Sequence, residues 1–169
     1  MQKMKELTEQ EAYQKAAAIC AVAENCQADI MSKLKKWGLA YDVAETVVNR
    51  LVENSFIDEA RYARCFVSDK FRYNKWGRLK IRQALKIKKI PEEAINEAFA
   101  VIDEDSYDQT ILALIKAKAK TTKGEKDYAY RCKLMRFAVG RGFEPERVSA
   151  QIGKILHGEE NEVWEDFDY

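Results

Sequence analysis

The side chains best suited to chemistry in this 169-residue chain are cations at helical spacing. Arg78, Arg82, Lys86 and Lys89 recur at i, i+4, i+8 and i+11, so on a helix they share one face opposite the apolar stripe Ile81, Ala84 and Leu85. Lys70, Arg72 and Lys75 lie just upstream, beside Tyr73 and Trp76. Seven converging cations could neutralise phosphates and release condensed counterions, with the aromatics available to stack on unpaired bases. The same face could instead pair with an acidic neighbour, and the block 92–108 is rich in carboxylates. A second basic run, Lys116, Lys118, Lys120, Lys123 and Lys126, falls at a helix end and loop, where cations also suit the helix dipole. Trp37 and Trp76, each followed by glycine, are expected to plug corners between helices.

Catalytic constellations are missing from the sequence pattern. His157 is the single histidine, expected as a polar helix-end residue. Cys20, Cys26, Cys65 and Cys132 lack metal-ligand spacing and are expected as reduced, partly buried thiols. Lys123-Gly124-Glu125-Lys126 lacks the upstream glycine and the hydroxyl residue of a phosphate-binding loop. Acidic pairs such as Glu92-Glu93 sit at expected helix ends, where carboxylates suit the dipole. No enzyme activity, metal or cofactor is expected.

Charge is distributed in blocks. The net formal charge is only +1, yet residues 61–89 carry eleven basic residues and one acidic, 90–115 none and seven, and 116–147 ten and four. The Lys/Glu-mixed N-terminus contains no apolar run, so neither a signal peptide nor a membrane span is expected, and a cytoplasmic location follows.

These cations must be held by helices. Seven glycines and two prolines among 34% charged residues favour helices over turn-rich sheets. A repeat is visible when the chain is anchored on Leu39, Ile90 and Phe143. Five, nine and twelve positions later come Ala44, Val48 and Leu51, then Ile95, Phe99 and Ile102, then Val148, Ile152 and Ile155. Nine positions before the anchors stand Ile30, Ile81 and Leu134, and five before stand Leu34, Leu85 and Ala138. First helices are marked by Tyr13, Ala16, Ala17 and Cys20, by Tyr62, Ala63, Phe66 and Val67, and by Tyr107, Ile111, Leu114 and Ile115. Thr8 with Glu11 and Ser106 with Gln109 read as capping boxes, Asp58 as a cap, and Pro91 and Pro145 as first-turn residues.

The expected fold is therefore all-α: three tandem three-helix repeats at 8–55, 56–104 and 105–157, forming an elongated or curved array, with an acidic flexible tail at 158–169. No sustained heptad seam is present, so a monomer is expected.

The stretch Phe56-Ile-Asp-Glu-Ala-Arg-Tyr-Ala-Arg-Cys-Phe-Val67, followed by Trp76-Gly-Arg and Ile81-Arg-Gln-Ala-Leu85, resembles the signature of the RecX family. Lys133-Leu-Met-Arg-Phe137 with Arg141-Gly-Phe143 resembles that family's third repeat. Where many members carry Lys-Gly-Ile at the end of the second helix, this chain has Lys88-Lys89-Ile90. The resemblance implies three three-helix repeats and binding to the recombinase RecA, usually as its filament on single-stranded DNA. It also implies modulation, expected as inhibition, of RecA's ATPase, strand-exchange and coprotease activities. The contact candidates, chosen by charge and wheel position, are Lys70, Arg72, Lys75, Arg78, Arg82, Lys86 and Lys89. Two other readings remain: a stand-alone helical binder of single- or double-stranded DNA, and a purely protein-binding scaffold. The helix after Pro91 opposes the first, because Glu92, Glu93 and Glu97 leave it without a cation to meet phosphate.

Overall fold

The computed structural model describes residues 7–165, with side chains up to residue 156. Among these residues the chain forms nine α-helices and no strand. They are α1 Glu9–Val22, α2 Gln27–Lys36, α3 Tyr41–Glu53, α4 Glu59–Arg72, α5 Arg78–Ile87, α6 Glu92–Ala98, α7 Glu104–Thr121, α8 Tyr128–Gly140 and α9 Pro145–Glu165.

Helix starts follow local chemistry. The Thr8 hydroxyl accepts from the Glu11 N–H while the Glu11 carboxylate accepts from the Thr8 N–H, closing the expected capping box. Asp58 accepts from the Arg61 N–H at the head of α4. Ser106 does not cap α7. That helix begins two residues earlier, where Asp103 accepts from the Ser106 N–H, so an aspartate takes the capping role expected of Ser106 and Gln109. Pro91 caps α6 and Pro145 opens α9, where a missing N–H breaks no helical hydrogen bond.

Helix ends show the repeat in the backbone itself. Gly38, Lys89 and Gly142 follow α2, α5 and α8 with φ of 87°, 60° and 89°. At each, the following residue's N–H returns to the carbonyl five back: Leu39 to Leu34 at 3.2 Å, Ile90 to Leu85 at 3.2 Å and Phe143 to Ala138 at 3.4 Å. The left-handed residue also donates to the carbonyl three back, completing a Schellman cap in all three places. Lys89 thus adopts the conformation that glycine serves at the two equivalent positions.

The interior matches the repeated stripes. Ile30, Leu34, Ile81, Leu85, Leu134 and Ala138 are fully buried, as are Ala44, Leu51, Ile95 and Val148. α6 stops at Ala98 and the chain continues as a 3-10 turn, Phe99–Val101, which leaves Phe99 half-buried but still buries Ile102. The helical spacing that extends the third helix of repeat 2 to Ile102 is therefore met by a tighter last turn.

The chain divides into two compact units, 1–67 with 84–99 and 68–83 with 100–169, so the division falls inside α4 and α5. In the first unit α1, α2 and α3 pack on one another around Ala12, Ala16, Ile30, Leu34, Val47, Val48 and Leu51, with Ile57 closing the cluster. In the second unit α7, α8 and α9 pack likewise. α9 extends past Gly158 to Glu165, while the rest of the acidic tail lies outside the described residues, as does the His157 side chain. No helix among the described residues is long and apolar enough to cross a membrane.

Candidate interaction site

The start of α5 is fixed by two glycines. The Gly77 N–H donates to the Arg141 carbonyl at 2.8 Å and the Leu79 N–H to the Gly142 carbonyl at 3.0 Å, so a turn far downstream in sequence serves as the cap for the helix's first donors. The backbones are in direct contact. A Cβ at Gly77 would lie 2.2 Å from the Gly142 carbonyl carbon, and one at Gly142 would lie 2.5 Å from the Lys80 backbone nitrogen. This gives the Trp76-Gly77-Arg78 and Arg141-Gly142-Phe143 strings a shared physical reason.

Arg78, immediately after that contact, is held within the second unit and not presented on an open face. Its N–H donates to the Tyr107 hydroxyl at 3.0 Å, and its guanidinium lies over the Tyr107 ring, 4.2 Å from the centroid. It pairs with Glu104 at 2.6 Å and reaches Glu144 at 3.8 Å, leaving its side chain 18% exposed. The Tyr107 hydroxyl donates in turn to Glu144 at 2.6 Å. Burial and that carboxylate push the phenol well above its ordinary range. Arg147 pairs with Glu104 and Asp108, so the hydrogen bonds from Arg78 and Arg147 hold the Glu104 carboxyl below the usual carboxylate range. Phe71 stacks on Tyr107 at 5.6 Å between centroids, and Phe143 packs on it at 5.4 Å. The partners from 104, 107 and 144 are far away in sequence, which is why the wheel alone put Arg78 outside.

The other candidates differ in how far they are committed. Arg72 and Lys75 are exposed, and among the described residues neither has an ion pair. Lys75 has φ of 53°, which turns the chain between α4 and α5. Lys70 is half-buried with its ammonium 5.1 Å from the Trp76 ring, and Lys80 approaches the same ring at 4.5 Å. Trp76 is thus half-buried and bracketed by cations, a role for Lys80 that its spacing did not single out. Arg82 is half-buried.

Lys86 and Lys89 belong to the first unit. Lys86 is exposed and pairs with Glu92 at 3.1 Å, an acidic neighbour from the 92–108 block. Lys89 is exposed in its left-handed turn. Their neighbour Lys88 does more: its ammonium donates to both Asp29 oxygens, at 2.7 and 2.9 Å. Burial alone pushes the Asp29 carboxyl up. Hydrogen bonds from Lys88, Cys26 and Tyr62 outweigh it, and the net shift is downward. Burial also pushes the Cys26 thiol up to about 11.

Cys26 is buried and Cys20 and Cys132 are partly buried, whereas Cys65 is exposed, on the outer side of α4. The expectation of four partly shielded thiols is corrected there. Trp37 packs against the first unit's core with Lys15 over its ring at 4.1 Å, the corner role expected of it. Among the described residues no three His, Cys, Asp or Glu side chains converge to hold a metal.

Comparisons with known proteins agree with this architecture. A family model described as RecX, second three-helix domain, matches residues 58–98, the span of α4 to α6. A regulatory protein RecX from Prosthecochloris aestuarii is 28% identical over 145 residues, covering 86% of this chain and 93% of that protein. One from Chlorobaculum tepidum is 32% identical over 137 residues, covering 80% and 81%. Among solved structures, RecX from Lactobacillus salivarius superposes with a TM-score of 0.73 at 16% identity, over 86% of this chain and 95% of that one. A further crystal structure of regulatory protein RecX gives 0.76 at 20% identity, over 83% and 70%. Capped three-helix repeats, a signature glycine locked against a second turn, and this identity along four-fifths of both chains together mean that the chain belongs to the RecX family.

Proposed function

We propose that this protein is a non-enzymatic regulator that binds RecA, chiefly as the RecA filament on single-stranded DNA, and inhibits its ATPase, recombinase and coprotease activities. The observation that carries the reading is its alignment with proteins named regulatory protein RecX across most of both chains. The chemistry suits the role. A filament presents repeated charged surfaces, and Arg72 and Lys75 offer uncommitted charge at the α4–α5 junction. Lys70 and Arg82 lie in the same unit, and Lys86 and Lys89 supply further contacts from the other. Arg78 acts as a positioning residue, because contact through its guanidinium would require surrendering Glu104 and the Tyr107 ring. By linkage, the protein shifts the filament between states only through its differential affinity for them.

The test is RecA's single-stranded-DNA-dependent ATPase, with this protein titrated in at several salt concentrations. Substoichiometric, salt-sensitive inhibition is the expected result. An ATPase that is unchanged by a folded protein at low salt overturns the proposal.

A further inference from the structure

The block 116–147 carries ten cations against four carboxylates, and the structure shows where two of those carboxylates are spent. Asp127 caps α8 by accepting from the Tyr130 N–H at 2.9 Å, and Glu144 is taken by Tyr107 and Arg78. Between the end of α7 and the middle of α8 lies an open cleft of about 660 Å³, lined by Lys118, Thr121, Thr122, Lys123, Lys133, Arg136 and Phe137. Four of the seven lining residues are cationic and none is acidic. Lys123, Lys133 and Arg136 are exposed and have no ion pair among the described residues. Lys118 is half-buried, its ammonium resting 5.2 Å from the Phe137 ring centroid.

From this geometry we infer that the α7–α8 cleft is a phosphate-binding site for the backbone of single-stranded nucleic acid. The inference deepens the filament-regulator reading and rests on it for the biological source of the strand. Four like charges around one open cleft repel each other unless an anion enters, and the cleft supplies no carboxylate to do so. A strand with one phosphate per nucleotide meets that density of fixed charge, whereas an acidic protein surface carries its charges intermittently. The guanidinium of Arg136 can take two phosphate oxygens at once. The Thr121 and Thr122 hydroxyls both donate to the Lys118 carbonyl, at 3.0 and 2.8 Å, so their protons are committed and offer no donor to a base edge. Binding at this cleft is therefore independent of sequence. It also differs from the α4–α5 cations, where Glu104, Glu144 and Glu92 already neutralise Arg78 and Lys86.

The experiment measures fluorescence anisotropy of labelled oligo(dT), with poly-glutamate as a second probe, over a salt series. The proteins are the full chain, the Lys133→Gln/Arg136→Gln variant, the Lys133→Glu/Arg136→Glu variant and a Lys36→Gln/Arg64→Gln control. All substituted side chains are exposed, and circular dichroism verifies folding. The expected result is that the glutamine pair weakens oligo(dT) binding at least tenfold. It also flattens the slope of log affinity against log salt by about 1.4, two contacts at roughly 0.7 each. The glutamate pair weakens binding further, and the control, which removes two exposed cations that do not line the cleft, stays within about twofold of the parent. Oligo(dT) binding that is absent at low salt, or unchanged by either cleft variant, overturns the inference. Loss of poly-glutamate binding without loss of oligo(dT) binding overturns it in favour of an acidic protein. Run beside the RecA ATPase assay, the result separates the two readings. An unaffected ATPase with cleft-dependent oligo(dT) binding removes the regulator and keeps the cleft; an inhibited ATPase with cleft-independent binding does the reverse.

Discussion

Replacing Lys89 with glycine is expected to stabilise the protein. Lys89 sits at φ 60° where the equivalent residues are Gly38 and Gly142, so an L side chain occupies a turn that the other repeats build without a Cβ. A left-handed residue with a Cβ costs about 1–2 kcal/mol. Glycine removes that strain but loses about 0.4–1 kcal/mol through the greater freedom of its unfolded chain. The Lys89 side chain is exposed and without an ion pair among the described residues, so its removal sacrifices little else. The net gain is about 0.5–1 kcal/mol, which for a chain of this size raises Tm by about 1–4 °C. Thermal unfolding followed by circular dichroism, with Lys89→Ala as the control that drops the charge and keeps the Cβ, measures it. If Lys89→Gly melts no higher than Lys89→Ala, the backbone argument fails and the charge alone governs the site.

Gly77→Ala should destabilise by about 3 kcal/mol or more, since the new Cβ lies 2.2 Å from the Gly142 backbone and threatens two cap hydrogen bonds; urea unfolding reads it. The Asp29–Lys88 pair gives a pH signature. The folded carboxyl is depressed, so its contribution is fully present above the unfolded value of about 4 and is lost as pH falls through the folded one. Lys88→Met should therefore cost about 1 kcal/mol at pH 7, a figure reduced for the partial exposure of both groups, with the gap to the parent closing below about pH 4 in acid-unfolding curves. Thiol titration with a disulfide reagent should label exposed Cys65 first and Cys26 last, because Cys26 is buried and its thiol is pushed up to about 11. Arg72→Glu with Lys75→Glu should weaken inhibition of RecA's ATPase several-fold at low salt, with the difference narrowing as salt rises.

The helices and their buried faces were legible because each is a local, periodic property. Ile30, Ile81 and Leu134 stand at matched offsets and are all fully buried. The Thr8–Glu11 cap was legible for the same reason, with both partners within one turn. Ser106 is not the cap because Asp103, three residues earlier, takes the Ser106 N–H that the Gln109 side chain would accept from in a capping box, and a one-dimensional pattern holds no geometry to choose between them. Arg78 was misplaced for a different reason: its partners Glu104, Tyr107 and Glu144 come from segments 26 to 66 residues downstream. The α7–α8 cleft was half legible. Lys118 and Lys123 stand in a visible basic run, but Lys133 and Arg136 join them only through the packing of α8.

The meeting of Gly77 with the Arg141–Gly142 turn also sets an order of events for a chain emerging N-terminus first. The signature segment around α5 is made early, yet the carbonyls that receive the Gly77 and Leu79 N–H groups do not exist until synthesis has passed residue 142. Until then the Gly77 and Leu79 N–H groups lack their carbonyl partners and are left to water. A nascent or truncated chain ending before Arg141 would carry the family's most recognisable sequence without the backbone contact that closes it.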